Sequence, residues 1–397
     1  MSMSPIRGAL AAAVAVLAFA VPAVAAPAPA AAAPAAGDGA SAPTPTEPPG
    51  ASALALPEPT GPYPVGTTVL HLVDDSRPDP WVPTVKSREL MVSLWYPSRE
   101  SRGRRAPYMT EKEAELLLKE NGIGGVPARL LSGTRTNAVT GATPLGRRRG
   151  LPLVVLSPGF GAPRTSLTGL AEDLASRGYV VAGVDHTYEA AGTTFPDGRT
   201  VTCVACRGQD YGPKTTRGRA ADVSFVLDRL TGEDPAWKHA GLIDPSRIAM
   251  AGHSIGGNSA TWTMLNDSRV RAGINMDGSF WMPIPGKGLS RPFMLLGAGE
   301  IHEPDGQDTT WKRDWQRMTG WKRWLTVGGA GHASFLDYAP LLAGKVDFED
   351  LGTLPGTRSM EITRGYVAAF LDLHLRKRPQ RLLDGPSRRY PEVRFWR

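Results

Sequence analysis

The chain has 397 residues, with 45 basic and 38 acidic side chains and a formal net charge of +7 at pH 7. At 41 % hydrophobic and 21 % charged, its composition is globular and excludes a wholly disordered or fibrous protein. The basic runs "RGRR", "GRRRG" and the tail from His374 come with no nucleic-acid-binding motif. They read as solvated surface, or as attraction to anionic lipid or cell-wall polymer, and nucleic acid is not an expected partner.

The N-terminus carries one positive charge at Arg7, an apolar stretch from Ala9 to Val21, and the small-residue triplet Ala23-Val24-Ala25. That order predicts a secretory signal peptide over 1–25 and a secreted, extracellular protein. Pro22 and Pro27 interrupt too early for a membrane anchor. Residues 26–58 are Ala, Pro, Gly, Ser and Thr with almost no large apolar side chain, which predicts a disordered linker. The folded domain is then expected over 59–397.

Short apolar runs alternate with helical patterns through that domain. "TVLHLV" and "ELMVSLWYP" read as antiparallel neighbours. "LPLVVLSPG" reads as a buried strand, followed by the helix "SLTGLAEDLASRG" and the strand "YVVAGVDH". In "ADVSFVLDRL", Val223, Val226, Leu227 and Leu230 form one helical face. "RIAMAG", "RAGINMD", "PFMLLGAG" and "KRWLTVGG" are the later strands, the last of these closing the sheet. "NSATWTML" and "TTWKRDWQRM" lie between them as helices, and "SMEITRGYVAAFLDLHL" closes the domain. This alternation predicts an α/β fold with a mostly parallel central sheet and helices on both faces. Two stretches break it, 108–134 and 187–215. Both are insertions at strand ends, readable as a cap or lid or as surface excursions. The second holds both cysteines, Cys203 and Cys206. A local disulfide is the first reading; two free thiols and a redox or metal C-x-x-C are the alternatives.

In open parallel sheets, ligands bind beyond the carboxyl ends of the strands. Ser254 follows "RIAMAG" inside Gly252-His253-Ser254-Ile255-Gly256, Asp277 ends "RAGINMD", and His332 follows "RWLTVGGAG". The order Ser, acid, His is that of an α/β-hydrolase, with the serine on a sharp strand-to-helix elbow. His332 would take the serine proton and pass it to the leaving group, and a carboxylate would hold the other ring nitrogen. The N–H groups of Ile255 and Phe160 would meet the developing oxyanion. His186, at the end of its strand, is the alternative base. His253 is expected to point away from the pocket. Spacing leaves the acid open between Asp277 and the later Glu300, Asp305 and Asp308. Phe280, Trp281, Met282 and Phe335 lie near these residues and are candidates for an acyl pocket, with core packing as the alternative. No metal cluster and no phosphate-cradling loop is visible, so no cofactor is expected.

"PYPVG", "LVVLSPGFGAPRTSLTGLAEDLASRGYVVAGVDH", "GHSIGGNSA", "INMDGSFW" and "GGAGHASFLDY" resemble the platelet-activating factor acetylhydrolase family of serine esterases. The resemblance runs over about 62–375. It implies Ser254 as nucleophile, Asp277 as acid, His332 as base, and Phe160 and Ile255 as oxyanion-hole donors. Two departures stand out. "SPGF" precedes and includes Phe160 where the animal enzymes carry a His-Gly pair, and 108–134 does not resemble the family's membrane-docking helices. Bacterial lipases and polyester-cleaving esterases are similar in the same motifs. The expectation is a secreted, cofactor-independent serine ester hydrolase acting on a lipid or another ester with an apolar acyl group, with transient contact to a lipid surface. A peptidase or amidase with the same triad, a non-catalytic binding protein and a surface adhesin are the rival readings.

Overall fold

The computed structural model describes residues 53–208, 211–346 and 349–397. The expected signal peptide and residues 26–52 of the expected linker lie outside the described residues. The linker was expected to reach residue 58, but 53–58 is packed onto the domain. Leu54 and Leu56 are buried, and this segment exchanges backbone hydrogen bonds with Arg135. Two leucines in a proline-rich setting suffice because each finds a preformed apolar surface.

The first strands, β1 (Val65–Asp74) and β2 (Arg88–Pro97), pair antiparallel as expected. Helices α1 (Glu111–Glu120) and α2 (Ala128–Ser132) form the 108–134 insertion, and β3 (Val139–Thr140) flanks β1. Thr110 and Glu113 cap α1 reciprocally, an arrangement worth about 1 kcal/mol. Next come β4 (Leu151–Ser157), α3 (Thr168–Ser176) and β5 (Val180–His186). The second insertion contains a small hairpin, β6 (Thr193–Thr194) with β7 (Thr200–Val201), and Cys203 is disulfide-bonded to Cys206. Its expected end at 215 overruns a helix, because α4 spans Tyr211–Thr231.

The rest of the sheet follows: β8 (Ile243–His253), α5 (Ile255–Asn266), β9 (Val270–Met276) and β10 (Phe293–Ala298). Then come α6 (Gly299–His302), α7 (Thr309–Trp315), β11 (Lys322–Val327), α8 (Tyr338–Leu342), α9 (Gly356–Arg376) and β12 (Val393–Trp396). The strand order is β12-β11-β10-β9-β8-β4-β5-β2-β1-β3. The run from β5 to β11 is parallel, with antiparallel pairs at β1–β2, β2–β5 and β11–β12. This is an α/β-hydrolase fold. β11 is not the last strand, as the sequence suggested: "VRFW" in the basic tail adds an antiparallel edge.

β4 is buried on both faces, which is why it reads as a continuous apolar run. Val154 and Leu156 join a core with α3 and α9 residues such as Leu170, Leu174, Val367 and Phe370. Leu153 and Val155 join the opposite core with Val223, Val226 and Leu227 of α4. Each such side chain contributes roughly 1.5–3 kcal/mol through burial. The two layers fix the sheet and so the loops at its carboxyl edge. No helix among the described residues is long and apolar enough to cross a membrane.

Candidate active site

Ser254 stands between the end of β8 and the start of α5, with φ 54° and ψ −127°. That backbone conformation costs a non-glycine residue about 1–3 kcal/mol and persists only where its surroundings enforce it. Here the Ser254 N–H donates to Met276 O at 2.8 Å, and Ser254 O accepts from Gly257 N–H at 2.9 Å. The turn also needs Gly252, where a Cβ would lie 2.1 Å from the Gly256 carbonyl carbon. β8 and α5 therefore meet closely enough to lift the serine side chain toward the loops beyond the sheet.

Asp277 follows β9, itself at φ 58°. Its Oδ2 lies 2.5 Å from His332 Nδ1, and its Oδ1 accepts from Ala298 N–H at 2.6 Å. Burial alone would raise this carboxyl. The His332 hydrogen bond, the nearby His302 and the Ala298 N–H together bring it below its ordinary value. For His332, burial lowers the pKa, but the hydrogen bond and charge of Asp277, with Asp350, raise it overall. The loop carrying His332 is braced by Ser334, whose Oγ accepts from Gly331 N–H and donates to Leu351 O.

The competing carboxylates stand away from His332. Glu300 and Asp305 are exposed, and Asp305 faces Lys312 at 3.4 Å. Asp308 caps α7 through Thr310 N–H at 2.7 Å and lies 3.3 Å from His302 Nδ1. His186 is buried, with Nδ1 2.8 Å from Asp222 and Nε2 3.0 Å from Ser157 Oγ, so it faces a separate interior network.

His253 does not point away from the site. Its ring lies 4.5 Å from that of His332, and its Nε2–H donates to His332 O at 2.8 Å. Burial first, then the neighbouring His332, pushes its pKa down to about 3, so the ring is neutral. Its other face fills the space beside Gly159, where a Cβ would stand 2.7 Å from His253 Nδ1. The serine pentapeptide marked the position as variable, and only the distant His332 loop gives it a partner.

Ile255 opens α5, and Phe160 lies in the loop after β4 beside Gly161 at φ 78°. Among the described residues, neither N–H donates to a protein acceptor. Ser254, His253, His332, Gly159 and Phe160 line one cavity of about 140 Å³. Its apolar wall comes from Leu117, Ala162, Ala333, Leu336 and Tyr338, so α1 of the first insertion does reach the site. None of the four expected acyl-pocket residues lines this cavity. Phe280, Met282 and Phe335 are buried in the protein interior, while Trp281 is 49 % exposed. Trp281 instead packs near Tyr211, which stacks on Phe160 with ring centroids 4.4 Å apart. Tyr211 carries no clear signal in the sequence because it opens α4 at the end of the second insertion. A wider cleft of about 810 Å³ between α9 and residues 57–60 holds no histidine, so chemistry and not size locates the site.

The family model of platelet-activating factor acetylhydrolase, isoform II, matches residues 50–200 and 230–381. A probable 1-alkyl-2-acetylglycerophosphocholine esterase of Arthroderma benhamiae is 30 % identical, over 87 % of this chain and 94 % of its own. The platelet-activating factor acetylhydrolase of Bos taurus is 25 % identical, over 81 % of this chain and 77 % of its own. The structure of a ferulic acid esterase from Streptomyces cinnamoneus is similar with a TM-score of 0.79 and 46 % identity, covering 87 % of this chain and all of that one. The chain belongs to the platelet-activating factor acetylhydrolase, isoform II, family and is a carboxylic ester hydrolase.

Proposed function

We propose that the protein is an exported serine esterase that cleaves esters of apolar acyl groups through Ser254, His332 and Asp277. The observation that carries this reading is the 2.5 Å contact between His332 Nδ1 and Asp277, in a cavity shared with a serine on a strained elbow. Asp277 keeps the Nδ1 proton in place and leaves His332 Nε2 to receive one. Ser254 Oγ adds to the ester carbonyl carbon as its proton passes to Nε2. The carbonyl oxygen takes up the electron pair and is met by the N–H groups of Ile255 and Phe160. His332 then gives its proton to the leaving alkoxide, and the C–O bond to the alcohol breaks. Water repeats the sequence on the acyl-serine and regenerates the hydroxyl.

The apolar lining from Leu117, Ala162, Leu336 and Tyr338 favours an uncharged acyl group. Lipid esters are the first substrate class, in keeping with the names of the acetylhydrolase relatives. Aromatic acyl esters are a second reading, favoured by the Phe160–Tyr211–Trp281 series beside the cavity and by the ferulic acid esterase neighbour. Export agrees with the Cys203–Cys206 disulfide, a bond that persists in oxidising compartments.

A panel of p-nitrophenyl esters, short-chain phospholipids, feruloyl esters and matched anilides tests this reading. It expects kcat/KM for esters to exceed that for anilides of the same acyl chain by orders of magnitude. Equal rates would favour a peptidase or amidase.

A further inference from the structure

Beneath the loop after β4 lies a buried ionic network that the acylation steps do not use. Arg219 of α4 and Glu189 are each 1 % exposed, and Arg219 Nε donates to Glu189 Oε2 at 2.7 Å. The guanidinium spends its remaining donors on the loop. Nη1 donates to Pro158 O and to Ser157 Oγ at 3.2 Å, and Nη2 approaches Gly159 O at 3.4 Å. Glu189 is fixed in turn by Trp81 Nε1–H at 2.7 Å. Ser157 Oγ leads on to His186 and then Asp222, which is paired with Arg88. A buried charge pair of this kind is a weak source of stability, so its geometry invites a different explanation.

Gly159 O and Phe160 N–H belong to one peptide unit. In a trans peptide they point in opposite directions, so holding the oxygen aims the hydrogen. Arg219 reaches that oxygen from the interior side. On the other flank of Phe160, Gly161 N–H donates to Glu189 O at 2.9 Å, and Gly161 O accepts from Ala191 N–H at 2.8 Å. Glu189 thus grips the loop twice, through its own carbonyl and through Arg219.

We propose that Arg219, anchored by Glu189, is a positioning residue that aims the Phe160 N–H at the substrate oxyanion. This rests on the reading of Phe160 N–H as an oxyanion donor. The arginine never meets substrate. It acts by removing the freedom of one peptide plane to rotate, so the donor is in place before charge develops. Lysine cannot substitute, because one ammonium cannot span Glu189 and two carbonyls as the planar fork does.

The test compares the unaltered enzyme with Arg219→Lys and Glu189→Gln, using a p-nitrophenyl ester and a trifluoromethyl ketone of the same acyl chain. Ser254 Oγ adds to the ketone carbon, and the former carbonyl oxygen becomes the oxyanion, so its Ki reports donor alignment. For Arg219→Lys, kcat should fall about 10–100-fold, short of or equal to the loss of a whole donor. KM should stay within about twofold, and Ki for the ketone should rise in parallel with the loss of kcat. A folded Arg219→Lys with unchanged kcat, or with a change in KM alone, overturns the proposal. If that variant melts far below the parent, Glu189→Gln carries the test, with a smaller loss of kcat at unchanged KM expected and unchanged kcat contradicting. Ser254→Ala separates the two levels. Turnover surviving in Ser254→Ala refutes the serine-esterase reading itself, whereas an inactive Ser254→Ala beside a normal Arg219→Lys refutes the positioning alone.

Discussion

His253 Nε2 lies 2.8 Å from the main-chain oxygen of His332, joining the residue before Ser254 to the loop that carries His332. The link spans 79 positions of sequence and closes the site across the carboxyl edge of β8. A neutral ring suits this work, since its one N–H has a fixed acceptor and no charge opposes protonation of His332.

Replacing His253 by Phe keeps a ring against Gly159 and removes the donor. A net hydrogen bond is worth about 0.5–1.5 kcal/mol, so kcat should fall roughly 2–10-fold with KM little changed. Steady-state kinetics on one ester checks this; an unaltered kcat in the folded variant would contradict the bracing role.

Asp277→Asn should lower kcat on the order of 10⁴, because an amide favours the wrong tautomer of His332. Asp308→Asn removes a charge beside His302 but leaves the His332 partner and a helix-capping oxygen in place, so acylation should stay near normal whatever the change in stability. Single-turnover acylation of both variants decides it. Near-normal acylation by Asp277→Asn would move the acid elsewhere.

The pH profile follows from His332. As the proposed base it must be neutral to accept a proton; burial lowers its pKa, but Asp277 and Asp350 raise it overall. The rise of kcat/KM with pH should therefore be centred above the ordinary histidine value of about 6.5. Any stability from the raised pKa has the opposite sense. It is fully present below the unfolded value and is lost as pH rises through the folded value. A rise in kcat/KM centred well below the ordinary histidine value would contradict this assignment.

Thiol titration of the denatured, unreduced protein should find no free thiol, and reduction should release those of Cys203 and Cys206. Titratable thiols before reduction would contradict the disulfide.

Much of this was legible in the sequence. The parallel sheet could be read because β4, β5 and the second half of β8 are buried on both faces and so appear as short apolar runs. The gathering of Ser254, Asp277 and His332 at one edge of the sheet could be read because each follows such a run; their chemical roles are the proposal. What stayed hidden depends on contacts made at a distance. β12 has four residues in an arginine-rich tail and lies at a sheet edge, so it carries no clear alternation. Phe280 and Met282 adjoin Asp277 in sequence, but the chain turns them into the interior. The cavity wall is supplied instead by Leu117 of α1, by Ala162 after β4, and by Ala333, Leu336 and Tyr338 just beyond His332. Arg219 and Glu189 look like ordinary surface charges in a string of letters, and only the packing of α4 under the β4 loop brings them together.

The central claim is that Ser254 is the residue acylated during turnover, and intact-protein mass spectrometry after a fluorophosphonate probe tests it most directly. The unaltered enzyme should gain one probe mass, with peptide mapping placing it on Ser254. Ser254→Ala should gain none and lose kcat by about 10⁴ or more while keeping its fold. Labelling that persists in Ser254→Ala, or a tag mapped to another residue, would contradict the account.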